Sequence, residues 1–220
     1  LSVRHFGPAA VQQLASLHPA VACVSCWPSR IPEELLAVPR HGFLNVHPSL
    51  LPAYRGPHPL FWALRDGLRE SGVTVHWMAV ELDQGDIAAQ APLPFPEGVG
   101  PSVLEQAAGE LGGALLVDVL QQLAAGVTPA RPQPTGGSHQ PAPCAADFAL
   151  DTSWSAQRAF NFMRGTSGWG YPYPVHAGGE TFNLRQALGY DAGARLPEPV
   201  VRSSTGLQLQ YTPGVLLAEE

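Results

Sequence analysis

The sequence predicts an α/β fold with a mostly parallel sheet, followed by a small β-rich domain. Short apolar runs alternate with segments of helical spacing through residue 126, a Pro/Gly-rich stretch interrupts the chain at residues 127–147, and several short β-like runs follow it. With 220 residues, 45% hydrophobic and 14% charged, the chain can bury a core without a metal or disulfide staple. Gly and Pro, at 23 each, stop short of the level that marks low complexity, which excludes a collagen-like or wholly disordered chain.

The elements follow in order. Ala10, Val11, Leu14 and Leu17 recur at helical spacing over Gly7 to Leu17, and His18-Pro19 stops that helix before an apolar strand beginning at Ala20. Pro32 to Val38 reads as a short helix opened by proline, and Gly42 to His47 as a strand ended by Pro48. Ser49 to Pro59 is a loop that carries Tyr54, Arg55 and His58, and Leu60 to Arg65 is a helix that Gly67 ends. Gly72 to Val80 and Ile87 to Ala91 read as two strands of a hairpin with a polar turn between them. Ser102-Val103-Leu104-Glu105 fits a capping box for a long helix whose apolar face runs to about Leu123.

Seven Pro or Gly residues between Pro129 and Pro143 mark 127–147 as a linker between a first domain, 1–126, and a second, 148–220. Ser153 is positioned to cap a helix carrying Trp154, Phe160 and Met163. Strand-like runs follow at Thr181 to Leu188, Pro199 to Val201, Leu207 to Tyr211 and Val215 to Leu217.

Composition excludes several kinds of chemistry. All twelve basic residues are Arg and the net charge is −6, so a broad basic nucleic-acid surface is not expected. Without Lys there is neither a Schiff base nor a P-loop lysine. Cys23-Val24-Ser25-Cys26 matches C-x-x-C but lies in an apolar run that reads as a buried strand, and no second Cys/His pair has zinc spacing, so no metal is expected. No apolar run approaches the ~20 residues of a membrane span, and Leu1 to His5 lack the apolar region of a secretory signal. The expectation is a cytoplasmic protein with no membrane partner.

Chemistry concentrates at one strand end. Side chains alternate along a strand, so Phe43, Asn45 and His47 share a face while Leu44 and Val46 point the other way. Asn45 and His47 then stand roughly 7 Å apart, at the carboxyl end where open α/β sheets bind ligands. For an isolated N-x-H the prevailing reading is a capped strand end with a structural His. Here Asn45-Val46-His47-Pro48-Ser49-Leu50-Leu51-Pro52 is followed by Tyr54-Arg55-Gly56 and later by Leu82-Asp83-Gln84-Gly85-Asp86-Ile87. From about Val21 to Ala125 the chain resembles the formyltransferases that use 10-formyltetrahydrofolate. They act on methionyl-tRNA, on glycinamide ribonucleotide or on sugar nucleotides.

The resemblance implies a Rossmann-like formyltransferase sheet and places the catalytic residues at Asn45, His47 and Asp83, with Asp86 beyond the glycine as the less suitable acid. Attack of an amine on a formyl carbon gives a tetrahedral centre whose oxygen gains charge, and donors such as Asn45 and a protonated His47 would stabilise it. Asp83 would hold the imidazolium and accept, directly or through water, the proton that the amine sheds. By the same resemblance Trp27-Pro28-Ser29-Arg30-Ile31 and Met78 to Asp83 face the pterin, with Trp27, Ile31, Met78 and Leu82 as the folate-binding side chains. Ordinary core packing is the competing reading for each of the four. Arg55 would clamp a phosphate or the acceptor, or else form a structural ion pair; His41, His58 and His76 read as surface or packing residues.

The family's domain begins with further strands and a helix that this sequence lacks. That implies a truncated chain, an edge supplied by a partner, or loss of acceptor binding with the folate half retained. Leu150 to Ser155 and Gly168-Trp169-Gly170-Tyr171-Pro172 resemble the OB-like C-terminal domain of the methionyl-tRNA branch and its sugar-modifying relatives. The expected function is formyl transfer from 10-formyltetrahydrofolate to a primary amine, on initiator methionyl-tRNA or on an amino-sugar nucleotide. A formyl-folate hydrolase and a non-catalytic folate-binding module are the alternatives.

Overall fold

The computed structural model describes residues 7–25, 27 and 29–220, and these fall into two units. The first comprises the chain through Pro59, Ser71–Leu93 and Ala107–Pro141; the second comprises Leu60–Glu70, Pro94–Gln106 and Ala142–Glu220. Cys26 of the C-x-x-C string lies outside the described residues. Among the described residues no helix is long and apolar enough to cross a membrane.

The first unit is built on a sheet of four strands, β1 (Ala22–Ser25), β2 (Phe43–His47), β3 (Glu70–Trp77) and β4 (Ile87–Pro94), in that spatial order. β1 and β2 are parallel, with Val24 opposite Asn45. β2 and β3 are antiparallel, with Asn45 opposite His76 and His47 opposite Thr74. The mostly parallel sheet expected from helix–strand alternation is therefore a mixed one. The segment joining β2 to β3 leaves and re-enters the sheet at the same end, whereas a parallel pair needs a crossover that carries the chain back to the other end.

Alternation along β2 sorts the core onto two faces, as the period of 2 requires. Phe43 packs with Ile31 and Leu35, and Val11 and Leu14 of the helix α1 (Pro8–Ala15) and Leu36 of the short helix α2 (Glu33–Leu36) lie against them. Leu44 packs on the other face with Val75 and Val119, under Leu115, Leu116, Leu120 and Leu123 of α4 (Pro101–Ala124). α4 lies close because residue 112 is glycine: a Cβ there would stand 2.5 Å from Val46 Cγ1. Its first residue is Pro101, so Ser102 sits inside the first turn rather than capping it. Proline is favoured at that position because its missing N–H would have no partner there.

Residues 127–141 form no helix or strand, as their proline content dictates. They are not a free spacer. Isolated bridges join Arg131 to Ile87 and His139 to Arg55, and Trp77 Nε1 donates to Pro129 O at 2.8 Å.

The second unit holds α5 (Ala156–Gly165), the hairpin β5 (Tyr173–Ala177) and β6 (Glu180–Leu184), and an antiparallel sheet ordered β7 (Gln186–Asp191), β10 (Val215–Glu219), β9 (Gly206–Gln210), β8 (Val200–Ser203). The run expected at Thr181 to Leu188 is two strands broken at Arg185. Gly178-Gly179, both with positive φ, make the two-residue turn of a hairpin that the sequence reading missed. α5 is capped by Ser155, whose Oγ accepts from Arg158 N, rather than by Ser153; Ser153 N is bound instead to Asp151 Oδ1. Leu60–Glu70, with most of the helix α3 (Pro59–Arg65), also belong to this unit. Phe61 from this segment packs against Phe148, Phe162 and Trp169 at ring separations of 5.1–5.4 Å.

Candidate active site

β2 and β3 set three polar side chains side by side. Asn45 and His76 face each other across the antiparallel pair, and Asn45 Nδ2 lies 3.1 Å from His76 Nε2. His76 Nδ1 lies 2.9 Å from Trp77 O, an acceptor, so Nδ1 carries a proton and the geometry assigns Nε2 as the acceptor of the amide N–H. That fixes the orientation of Asn45: one N–H is bound to His76, and Oδ1 is buried without a hydrogen-bond partner among the described residues. An unpaired buried acceptor is costly, on the order of 1–3 kcal/mol, so Asn45 is poised for a ligand donor. His76 is 1% exposed and belongs to this cluster, contrary to its reading as a surface or packing residue. Its signal was the alternation Val73-Thr74-Val75-His76, but only an antiparallel partner brings that face onto Asn45.

The loop after β2 is fixed by its own polar atoms. Thr74 Oγ1 donates to Ser49 O at 2.6 Å and accepts from Leu51 N and from Gln90 Nε2. Ser49 Oγ donates to Ala53 O. His47 Nε2–H donates to Tyr54 O at 2.9 Å, which leaves Nδ1 facing Asp83, 3.7 Å from Oδ1. The Ser-Leu-Leu-Pro string thus holds the ring of the histidine that precedes it.

Asp83 comes from the turn between β3 and β4. Its backbone is left-handed (φ 58°), a conformation that Asp tolerates better than most residues. Gly85 has no alternative, because a Cβ would lie 1.8 Å from Trp77 O. These two requirements give Leu-Asp-x-Gly a physical meaning: the chain turns tightly over the end of β3 and projects the carboxylate towards β2. Asp83 Oδ2 accepts from Gly56 N at 2.9 Å, and Oδ1 lies 3.7 Å from both His47 Nδ1 and His76 Nε2. Asp86 is exposed and takes no part in this cluster.

Burial would raise the Asp83 carboxyl, but the His76 ring beside it, the charge that His47 carries once protonated in acid, and the Gly56 N–H outweigh it and hold the group at about 2. Asp83 is ionised near neutrality. For His47 burial dominates, and it holds the imidazole below its ordinary value despite the pull of Asp83 and Tyr54 O. The resting ring is therefore neutral at pH 7, not the imidazolium expected from the sequence. It is also arranged to accept a charge, since protonation at Nδ1 would place a positive ring between Tyr54 O and the carboxylate.

These groups border a shallow cleft whose wall includes Asn45, His76 and Asp83 together with Trp27, Met78 and Leu82. His47 is not in that wall; it is 4% exposed and contacts Asp83. Trp27 (40% exposed) and Leu82 (36% exposed) leave apolar surface at the mouth. Ile31 lies in the core cluster against which Met78 packs, because the chain turns inward at Ile31 to start α2. Arg55 is engaged by the protein itself: it donates to Asp83 O at 3.2 Å, Gly136 O at 3.4 Å and Gln133 Oε1 at 2.7 Å.

An amide, an ionised carboxylate and an imidazole thus line one open cleft. A family profile described as formyl transferase matches residues 2–120, and the chain belongs to that family. Methionyl-tRNA formyltransferase of Pelotomaculum thermopropionicum is 32% identical over 191 residues, covering 87% of this chain and 61% of that protein. The chain spans about half to three fifths of the length of such curated relatives. HypX from Aquifex aeolicus, solved with tetrahydrofolic acid, superposes with a TM-score of 0.65 at 19% identity, covering 96% of this chain and 37% of that one. An N-formyltransferase from Helicobacter canadensis, solved with folinic acid and dTDP-3-aminofucose, gives 0.62 at 16% identity over 80% of this chain and 65% of that one.

Proposed function

We propose that this chain transfers a formyl group from 10-formyltetrahydrofolate to a primary amine, with methionyl-tRNA as the acceptor class. The observation that carries the reading is the shared cleft wall of Asn45, His76 and Asp83, with His47 against Asp83. The formyltransferase names of relatives at 32% identity over most of the chain support it, and so does the folate bound by a neighbour of the same fold. The relatives' common name favours the tRNA acceptor over an amino-sugar nucleotide. We place the reaction in the cytoplasm and read the second unit's antiparallel strands as the OB-like domain of the tRNA branch.

In the reaction the amine nitrogen bonds to the formyl carbon and the bond from that carbon to N10 breaks; the amine loses a proton and N10 gains one. Asn45 directs its remaining N–H at the developing oxyanion, while its unpaired Oδ1 accepts an amine N–H and orients the nitrogen lone pair. Asp83, with a carboxyl at about 2, is too weak a base to keep the proton. It stabilises positive charge on the attacking nitrogen and on His47, which takes the proton through the carboxylate or a water. Trp27, Met78 and Leu82 offer the apolar walls that a flat pterin ring needs.

The test is incubation with 10-formyltetrahydrofolate and a panel of amine acceptors. Asn45→Ala and Asp83→Ala should each lower transfer by about 10²–10³-fold, with folate affinity changed by less than about tenfold. Wild-type rates in both variants would refute the assignment. Formate release without amine would mark a hydrolase, and folate binding without turnover a binding module.

A further inference from the structure

We infer that Gln133, on the proline-rich segment that follows α4, is a positioning residue for the active site: its side chain fastens the Asp83 turn to the Tyr54–Gly56 loop. The inference rests on the formyl-transfer reading for its activity arm, but its geometry stands independently. Gln133 Nε2 donates to Asp83 O and to Gly85 O, both at 2.8 Å, and Oε1 accepts from Arg55 Nη2 at 2.7 Å. Both amide hydrogens and the oxygen are thus engaged, and the partners belong to the two loops that meet in the site.

The rest of the segment makes the same junction. Ser138 Oγ accepts from Tyr54 N at 2.8 Å and Ser138 O from Arg55 N at 2.9 Å, while Gln140 N donates to Arg55 O at 2.8 Å. Gly56 lies flush against this segment: a Cβ on it would meet Gln140 O at 2.1 Å. Two catalytic contacts depend on the loop so held, His47 Nε2–H on Tyr54 O and Gly56 N on Asp83 Oδ2. Without Gln133, Gly85 O and one guanidinium N–H of Arg55 lose this partner, and Asp83 O keeps only the longer bond from Arg55 Nε at 3.2 Å. The turn is then free to carry Asp83 away from His47, and a displacement near 1 Å in a reacting group is enough to lower a rate by up to about a hundredfold.

The experiment compares wild-type enzyme with Gln133→Met, which keeps the length and removes all three bonds, and Gln133→Glu, which keeps the acceptor for Arg55 but turns a carboxylate on two carbonyls. Both should lower kcat by about 10–100-fold with KM for 10-formyltetrahydrofolate within about threefold. The acid limb of the kcat profile, set by protonation of His47, should also move downward, because the imidazole loses the pull of Asp83 when the turn carries the carboxylate away from it. Gln133→Asn, shorter by one methylene, should recover part of the rate only if it reaches one carbonyl. Amide exchange at Gly56 and Arg55, read without substrate, should accelerate in the Met and Glu variants. Wild-type kcat and acid limb in Gln133→Glu, or unchanged exchange at Gly56, would overturn the inference. An inactive wild type with accelerated exchange in the variants would overturn the formyl-transfer reading and leave the positioning role standing.

Discussion

The two units hold themselves together by different means. In the first, irregular chain is fixed by polar groups: Thr74, Ser49, Gln90, Gln133 and Ser138 bind main-chain or loop atoms within hydrogen-bond distance. In the second, rings do the equivalent work, with Phe148, Phe162 and Tyr173 fully buried and Phe61 and Trp169 packed among them. Hydrogen bonds fix direction to a few tenths of an ångström, which a reacting constellation requires. Aromatic packing contributes area and stability with less demand on orientation. Damage to the first unit should therefore appear as lost rate, and damage to the second as lost stability.

The largest break in this contrast is Phe162→Ala. Phe162 is fully buried, with four aromatic rings within 6.3 Å. Its loss should cost about 3–5 kcal/mol in the denaturant transition of the second unit, with the folate affinity of the folded protein unchanged. A fall in folate affinity larger than tenfold in the folded variant would erase the distinction.

Acid should reach the stability of the first unit as well, through the charged groups among its polar contacts. Asp83 has a folded value of about 2, below its unfolded value, so its contribution is present above about pH 4 and is lost as pH falls through 2. The amount is on the order of 2 kcal/mol. His47, held low by burial, adds a loss at higher pH, since the unfolded chain binds its proton more readily below the ordinary histidine value. Denaturant midpoints measured from pH 7 to pH 2.5 should fall in both windows. Asp83→Asn should remove the lower one; an unchanged acid dependence in that variant would show that the carboxylate is not held as described.

The smallest effect sharpens the comparison at a helix end. Ser155→Ala removes the cap on Arg158 N and should lower stability of the second unit by about 1 kcal/mol, measured by thermal unfolding, with no change in transfer rate.

Much of the strand that carries the candidate site was legible because alternation is a one-dimensional rule: Asn45 and His47 had to share a face, and Leu82-Asp83-Gln84-Gly85 had to be a turn. His76 was not, because its place depends on which strand lies beside β2 and in which direction it runs. The mixed sheet escaped for the same reason, since helix–strand alternation does not specify the end at which a connection returns. Gln133 was hidden by composition: Pro132 and Pro134 rightly signalled irregular backbone, but nothing local to them says what that backbone lies against. Ser155 and Ser153 compete for one cap, and only the hydrogen bond decides.

Because Leu60–Glu70 and Pro94–Gln106 are counted with Ala142–Glu220, the smaller unit is discontinuous along the polypeptide. A graft carrying only residues 148–220 to another scaffold would leave Phe61 behind and open a gap beside Phe148 and Phe162. It would also strip Arg65 from the carbonyls of Asp147 and Ala149. Transplanting the intact unit therefore has to move three stretches of sequence at once.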